Sequence, residues 1–172
     1  DGFSAFFDSK IQKSPSWLHI DQNPKNTTKS FQGAYNFFKV GEDDAGFVVV
    51  PKSHETYKPD VSHQKDWIVV EQETFIPQSK KLLIPENCFV IWNSKIIHAN
   101  QGMKKGTKGF NRLTSYITYL PKEIRSEEIR QKREIAYKLA ETTSHWANKC
   151  EIKKYPYGFG PNYVKKGFVK IA

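Results

Sequence analysis

The sequence has 172 residues, which fits one compact domain that is large enough to bury its own core. Hydrophobic residues make up 38% and charged residues 26%, which excludes a fully disordered chain. No apolar run reaches the roughly 18 residues that a membrane span needs. The two cysteines, Cys88 and Cys150, do not form a disulfide framework, so we expect an intracellular, cytoplasmic protein.

The charge is strongly basic, with 27 Lys and Arg against 18 Asp and Glu and a net charge of +9. Such a balance is compatible with nucleic acid, a membrane surface or a small anionic substrate as partner. The lysines are scattered in pairs and no nucleic-acid-binding motif accompanies them, which favours a solvated surface. The chain starts at Asp1 without a signal segment, so we expect that upstream sequence is missing.

Short strands separated by polar loops and turns dominate the first two thirds of the chain. Residues 67–75 are typical of a short helix or an irregular segment. Many short strands with long loops predict a sandwich or a jelly-roll barrel. The predicted strands cover residues 17–21, 31–40, 46–50, 81–84, 88–92, 96–99 and 112–120.

The pattern changes after residue 121. Ser126 is a suitable N-cap, and Glu127 and Glu128 follow it in the first turn, where they complement the helix dipole. We predict a helix from there to about Trp146, followed by an aromatic, turn-rich tail at 155–160 that packs onto the body. The expected organisation is a single domain, residues 1–172, with a β core at about 15–121 and a helix and tail at 122–172.

Two histidines, one aspartate and one arginine carry the candidate chemistry. His19 and Asp21 lie two residues apart on a predicted strand, so their side chains project from the same face. His98 ends a distant apolar strand and supplies a third ligand. Two histidines and a carboxylate on one face of an octahedron are the ligand set of non-haem Fe(II) oxygenases. Arg112 begins the next strand, and a guanidinium there can bind a carboxylate through two parallel hydrogen bonds.

Four segments in this order resemble a known family. They are WLHIDQNP, FQGAYNFFKVGEDDAGFVVVPKSH, PENCFVIWNSKIIHANQG and RLTSYITYLP. Together they resemble the phytanoyl-CoA dioxygenase family of Fe(II)- and 2-oxoglutarate-dependent oxygenases, over about residues 15–121. The resemblance implies a mainly β fold, a double-stranded β-helix of the jelly-roll, cupin-like type, followed by a C-terminal helix.

The resemblance also implies roles for individual residues. His19, Asp21 and His98 would bind Fe(II), and Arg112 would hold the distal carboxylate of 2-oxoglutarate. Asn100 occupies a place where the family usually has a small hydroxyl residue, and it is the candidate second contact to the cosubstrate.

Two further positions follow from the same resemblance. Tyr35 or Asn36 would line the cosubstrate pocket, and the sequence does not decide which of them faces inward. His54, in the VPKSH segment, matches a structural turn of the family, so we expect it to stabilise a loop and not to bind metal.

The implied reaction consumes O2 and 2-oxoglutarate, hydroxylates a C–H bond of a small or anionic organic substrate, and releases succinate and CO2. Three alternatives remain at this point. One is an oxygenase of the same chemistry that modifies nucleic acid or protein, and a second is a non-catalytic binding module on the same barrel. The third is a cupin-like metalloenzyme without 2-oxoglutarate, which would leave Arg112 without a role.

Overall fold

The structure, a computed structural model, describes residues 2–6, 17–59, 66–109, 111–139, 141–143 and 146–153. These residues are mainly β, which confirms the predicted class. The strands are β1 Gly2–Phe6, β2 His19–Ile20, β3 Phe31–Asn36, β4 Gly46–Val49, β5 Ile68–Val69, β6 Lys80–Lys81, β7 Cys88–Asn93, β8 His98–Gln101, β9 Arg112–Tyr119, β10 Thr142–Thr143 and β11 Ile152–Lys153. The helices are α1 Ser53–Thr56, α2 Gln72–Phe75 and α3 Glu127–Lys138, with 3-10 turns at Ile76–Gln78 and Lys122–Ile124.

The strands form two larger antiparallel sheets and one small one. The four-stranded sheet has the order β1-β9-β3-β7, and the five-stranded sheet has the order β5-β2-β8-β4-β6. Several pairs of strands that follow one another along the chain, such as β3 and β4 or β7 and β8, therefore lie in different sheets, whereas β4, β5 and β6 share one sheet. The remaining pair, β10 and β11, forms a two-stranded sheet.

The two larger sheets pack against each other through apolar side chains. Phe47 and Val49 of β4 form one buried cluster with Ala34 of β3 and Trp92 of β7. The opposite face of the five-stranded sheet is also buried, in a second cluster that Tyr57, Phe75 and Ile76 help to cover. Strands that are buried on both faces explain the continuous apolar run that β4 shows in the sequence. The second cluster contains Leu18, Ile20, Val48, Val50, Ile68, Val70, Ile97 and Ala99.

Alternation along β2 decides which side chains face the other sheet. Leu18 and Ile20 belong to the second cluster, on the face of the five-stranded sheet that points away from the other sheet. The side chains of Trp17, His19 and Asp21 therefore project from the inner face, toward the four-stranded sheet. The β2 strand thereby places two polar groups between the sheets.

The end of the long helix differs from the prediction. Ser126 caps α3 as predicted, because its Oγ accepts a hydrogen bond from the Ile129 N–H at 3.2 Å. The predicted end near Trp146 is wrong, since α3 ends at Lys138. The β-branched Thr142 and Thr143 form β10 instead of continuing the helix. The aromatic tail at 155–160 lies outside the described residues.

Other boundaries shift by a few residues. β3 ends at Asn36, and the segment after Trp67 forms both β5 and α2. β1 is not among the predicted strands, although it pairs with β9 along its whole length. Cys88 and Cys150 are both free thiols. In the described part of the chain, none of the helices has the length and apolar character that crossing a bilayer requires.

Candidate metal centre

Three predicted ligands meet at one point on the inner face of the five-stranded sheet. His19 of β2 pairs directly with His98 of β8 in the antiparallel register, and Asp21 follows two residues after His19 on the same face. One ligand atom from each residue lies within 4.8 Å of the others. His19 and His98 are buried, with 4% and 6% of their surfaces exposed.

The hydrogen bonds of the two imidazoles fix which nitrogen faces the centre. The Nδ1 of His19 lies 2.9 Å from the Trp17 carbonyl oxygen, and the Nδ1 of His98 lies 3.0 Å from the Ile96 carbonyl oxygen. A carbonyl only accepts, so both Nδ1 atoms carry the proton and each neutral ring keeps its lone pair on Nε2.

These Nε2 lone pairs point at a carboxylate. The Nε2 of His19 lies 3.6 Å from Asp21 Oδ1, and that of His98 lies 3.3 Å from Asp21 Oδ2. Three lone-pair donors that face one another repel, and a cation between them removes the repulsion. The donor set therefore fits a metal ion, and its two imidazoles and one carboxylate suit iron.

Asp21 is ionised in this setting. Burial by itself raises the pKa of its carboxyl, but when the two imidazoles are protonated the hydrogen bond and charge of His98 and the charge of His19 outweigh burial. A further hydrogen bond from Gln32 acts in the same direction, so the net result is a pKa well below the usual range. The group is a carboxylate at neutral pH, as metal binding requires.

Two buried side chains behind Asp21 complete the centre. Gln32 Nε2 donates to Asp21 Oδ2 at 2.8 Å, and Gln32 Oε1 accepts from Trp92 Nε1 at 2.9 Å. Gln32 is not among the site residues predicted from the sequence. A polar residue at an inward-facing position of β3 could have indicated it, but its contact with Trp92 depends on the register between β3 and β7.

Arg112 lies at the start of β9 with only 1% of its surface exposed. Its Nη1 donates to Asn100 Oδ1 at 2.9 Å and its Nε to Asn36 Oδ1 at 3.4 Å. Both of these amide oxygens are uncharged, and they orient the guanidinium. Burial lowers the pKa of Arg112, but a guanidinium stays protonated in proteins.

The same contacts decide between the two pocket candidates of β3. Asn36 is completely buried and bonds Arg112, whereas the Tyr35 hydroxyl donates to Asn87 Oδ1 at 3.1 Å on the exposed side. Asn36 is therefore the inward residue. Asn100 also lies beside Arg112, and it shares the inner face of β8 with His98, two residues earlier.

Three partly exposed apolar side chains lie beside His19 toward the β5 edge of the sheet. Trp17 stacks on the His19 ring at 4.7 Å between centroids with an interplanar angle of 17°, and the Trp67 ring lies 5.7 Å from it. Val69 pairs with His19 in the register of β5 and β2. The three side chains are half exposed, at 43%, 53% and 48% for Trp17, Trp67 and Val69. We call the two indoles, together with the neighbouring Val69, the aromatic shelf.

His54 lies apart from these ligands, as expected for a turn residue. Its Nε2 lies 3.5 Å from Glu55 Oε1. The neighbouring Ser53 connects the turn to the strand that leads to His98, because its Oγ accepts a hydrogen bond from the Ile97 N–H at 2.8 Å. Ser53 is the residue of this segment that sequence reasoning missed.

Comparisons with known proteins give structural similarity only. The chain matches no protein-family profile and no curated protein. It is similar to the epimerase SnoN, solved with Fe3+, alpha-ketoglutarate and nogalamycin RO, at a TM-score of 0.44 and 14% identity over 67% of this chain and 49% of SnoN.

HygX from Streptomyces hygroscopicus is similar in two solved forms. The iron-bound form matches at a TM-score of 0.43 and 14% identity, over 69% of this chain and 53% of HygX. The form with nickel and 2-oxoglutarate matches at 0.42 and 15% identity, over 70% of this chain and 53% of HygX. The chain spans about half the length of these proteins.

Proposed function

We propose that the chain carries the catalytic core of an Fe(II)- and 2-oxoglutarate-dependent oxygenase that hydroxylates a C–H bond of a small organic substrate. The observation that supports this most is the convergence of three lone-pair donors on the inner face of one sheet, while a buried arginine of the other sheet reaches Asn100 on the strand that carries His98. A metal site alone fits many functions, but a buried guanidinium beside it adds a donor group that a carboxylate can bind.

Each residue has a defined task in this proposal. The Nε2 atoms of His19 and His98 and the carboxylate of Asp21 hold Fe(II) and leave three positions of an octahedron for 2-oxoglutarate and O2. Arg112 binds the distal carboxylate of 2-oxoglutarate, with Asn100 as a neighbouring contact. The loaded iron supplies the oxidising chemistry, with release of succinate and CO2.

The strand order supports a double-stranded β-helix of the phytanoyl-CoA dioxygenase type. From β1 to β4 and from β6 to β9, successive strands alternate between the two sheets, and the ligands lie on or directly after β2 and β8, which are neighbours in the five-stranded sheet. In this proposal residues 1–172 form one domain, with the β core followed by the C-terminal helix.

The aromatic shelf supports a substrate with a flat apolar face. Two half-exposed indoles beside a buried metal ligand offer stacking surface to any molecule that brings a C–H bond to the metal. A ring fits this surface better than an extended chain, because a rigid ring stacks without losing conformational entropy.

The proposal is tested by turnover. Anaerobically prepared protein is mixed with Fe(II), 2-oxoglutarate and a panel of ring compounds, then exposed to O2, and succinate is measured by NMR. We expect succinate release from the wild type and none from Asp21→Ala. Mn(II) binding without any 2-oxoglutarate binding in calorimetry would contradict the proposal and point to a binding module or to a metalloenzyme of another class.

A further inference from the structure

We propose that Gln32, oriented by Trp92, is a positioning residue that makes Asp21 bind its metal through one oxygen. The inference rests on the metal site of the proposed function. Gln32 and Trp92 are both buried, with 5% and 8% of their surfaces exposed. Two hydrogen bonds, at 2.8 and 2.9 Å, connect Asp21, Gln32 and Trp92 in a chain that runs from the centre into the four-stranded sheet.

The direction of the Gln32 amide follows from its two neighbours. An indole N–H only donates, so the amide oxygen has to face Trp92. A carboxylate only accepts, so the amide NH2 has to face Asp21. Each partner demands the same orientation, and a flipped amide would lose both hydrogen bonds at once.

The indole in turn is fixed by packing. The Trp92 ring lies 4.5 Å from the Phe47 ring and 5.5 Å from the ring of His98. Trp92 therefore contacts one metal ligand directly and a second through Gln32. A rotation of the indole would disturb both contacts, so the N–H direction is set by the core between the sheets.

The amide restricts how the carboxylate can bind. Asp21 Oδ2 accepts the hydrogen bond from the Gln32 amide, and it lies 3.3 Å from His98 Nε2. Oδ1 is the oxygen that the amide leaves to a metal. A carboxylate that binds through both oxygens would occupy two positions, and only two of the six would remain for 2-oxoglutarate and O2. Binding through Oδ1 keeps three positions open, so Gln32 affects the coordination number as well as the affinity.

The test uses the metal alone as probe, in the full chain. Gln32→Leu, Trp92→Phe and the double variant are titrated with Mn(II) by calorimetry, and the Co(II) forms are compared by visible absorption, which reports the coordination number. Ser30→Ala is the matched control, because it removes another buried hydrogen bond, Ser30 Oγ to Ser94 Oγ at 2.7 Å, and leaves the Asp21 side chain and the Ser94 carbonyl that accepts from the Asp21 N–H in place.

We expect Gln32→Leu to weaken Mn(II) binding by about 10- to 100-fold, the usual loss for a partner that orients a metal ligand. We also expect its Co(II) spectrum to change. Trp92→Phe keeps an aromatic ring in the core but removes the indole N–H, so it should weaken Mn(II) binding less. Because the Trp92 N–H acts on Asp21 through Gln32, the Phe substitution should cost less in the Gln32→Leu background than in the wild type.

Unchanged Mn(II) affinity and an unchanged Co(II) spectrum in folded Gln32→Leu would overturn the inference. An equal loss in Ser30→Ala, or strictly additive losses in the double variant, would also overturn it, since either result indicates general destabilisation. Failure of the oxygenase proposal is distinguishable: the wild type would bind Mn(II) with the predicted dependence on Gln32 and yet release no succinate.

Discussion

Replacement of Arg112 by methionine tests the carboxylate pocket in depth. Methionine fills similar space but removes the charge and the hydrogen bonds to Asn36 and Asn100. Each amide oxygen keeps a hydroxyl donor, from Thr114 at 3.2 Å and from Tyr116 at 3.2 Å. The loss of these two hydrogen bonds costs about 1–3 kcal/mol in total, and the variant should fold.

We expect Arg112→Met to weaken 2-oxoglutarate binding more than it weakens the fold. A hydrogen bond to a charged group contributes about 1.5–3 kcal/mol, which corresponds to roughly 10- to 150-fold in a dissociation constant. Arg112→Lys should recover part of this loss, because an ammonium keeps the charge but lacks the planar fork.

Calorimetry of 2-oxoglutarate with Mn(II)-saturated protein measures this effect. Arg130→Met is the control, since Arg130 lies on the exposed face of α3, where it pairs with Glu127 and Glu134. We expect wild-type affinity in the control. If Arg112→Met binds both Mn(II) and 2-oxoglutarate as tightly as the wild type, Arg112 does not hold the cosubstrate.

Three further predictions concern the ligand carboxylate, the aromatic shelf and the helix. Asp21→Asn should weaken Mn(II) binding by about a hundredfold or more, because a neutral amide replaces the anionic ligand; unchanged calorimetry would refute this. Trp67→Ala should abolish the stimulation of succinate release by ring compounds but keep Mn(II) affinity, and Trp67→Phe should restore part of the stimulation; equal stimulation of Trp67→Ala and wild type would count against the shelf. Hydrogen bonding from Arg130 lowers the pKa of Glu127 to about 2, so its small contribution to stability is present above the unfolded pKa of about 4.3 and is lost as the pH falls toward 2. Urea denaturation at pH 7 and pH 3 should show a smaller pH dependence for Glu127→Gln than for the wild type.

Local sequence patterns predict much of this fold. The β-branched run at 46–50 and the alternating segment at 112–120 correspond to β4 and β9, since burial and side-chain period are local properties. Ser126 begins the long helix as its capping chemistry indicates. The helix end was mispredicted because charged residues and alanines continue beyond Lys138, while the β10 pairing with β11 depends on residues farther along.

Some residues of the metal centre can likewise be predicted from the sequence, and others cannot. The spacing of His19 and Asp21 predicts a shared face, and the order of the motifs places His98 and Arg112 in the hypothesis. Gln32 could not be predicted, because its meaning depends on which tryptophan lies opposite in a neighbouring strand. The choice between Tyr35 and Asn36 required the exact register of β3 against β9, where a shift of one residue exchanges the two faces.

The central claim is that His19, Asp21 and His98 together hold one divalent metal ion. Calorimetric titration of the metal-free chain with Mn(II), for the wild type and for an alanine variant of each residue, tests it most directly. We expect one Mn(II) per wild-type chain and a large loss of affinity in all three variants. Wild-type affinity in any of them, or no Mn(II) binding by the folded wild type, would show that these residues do not form a metal site.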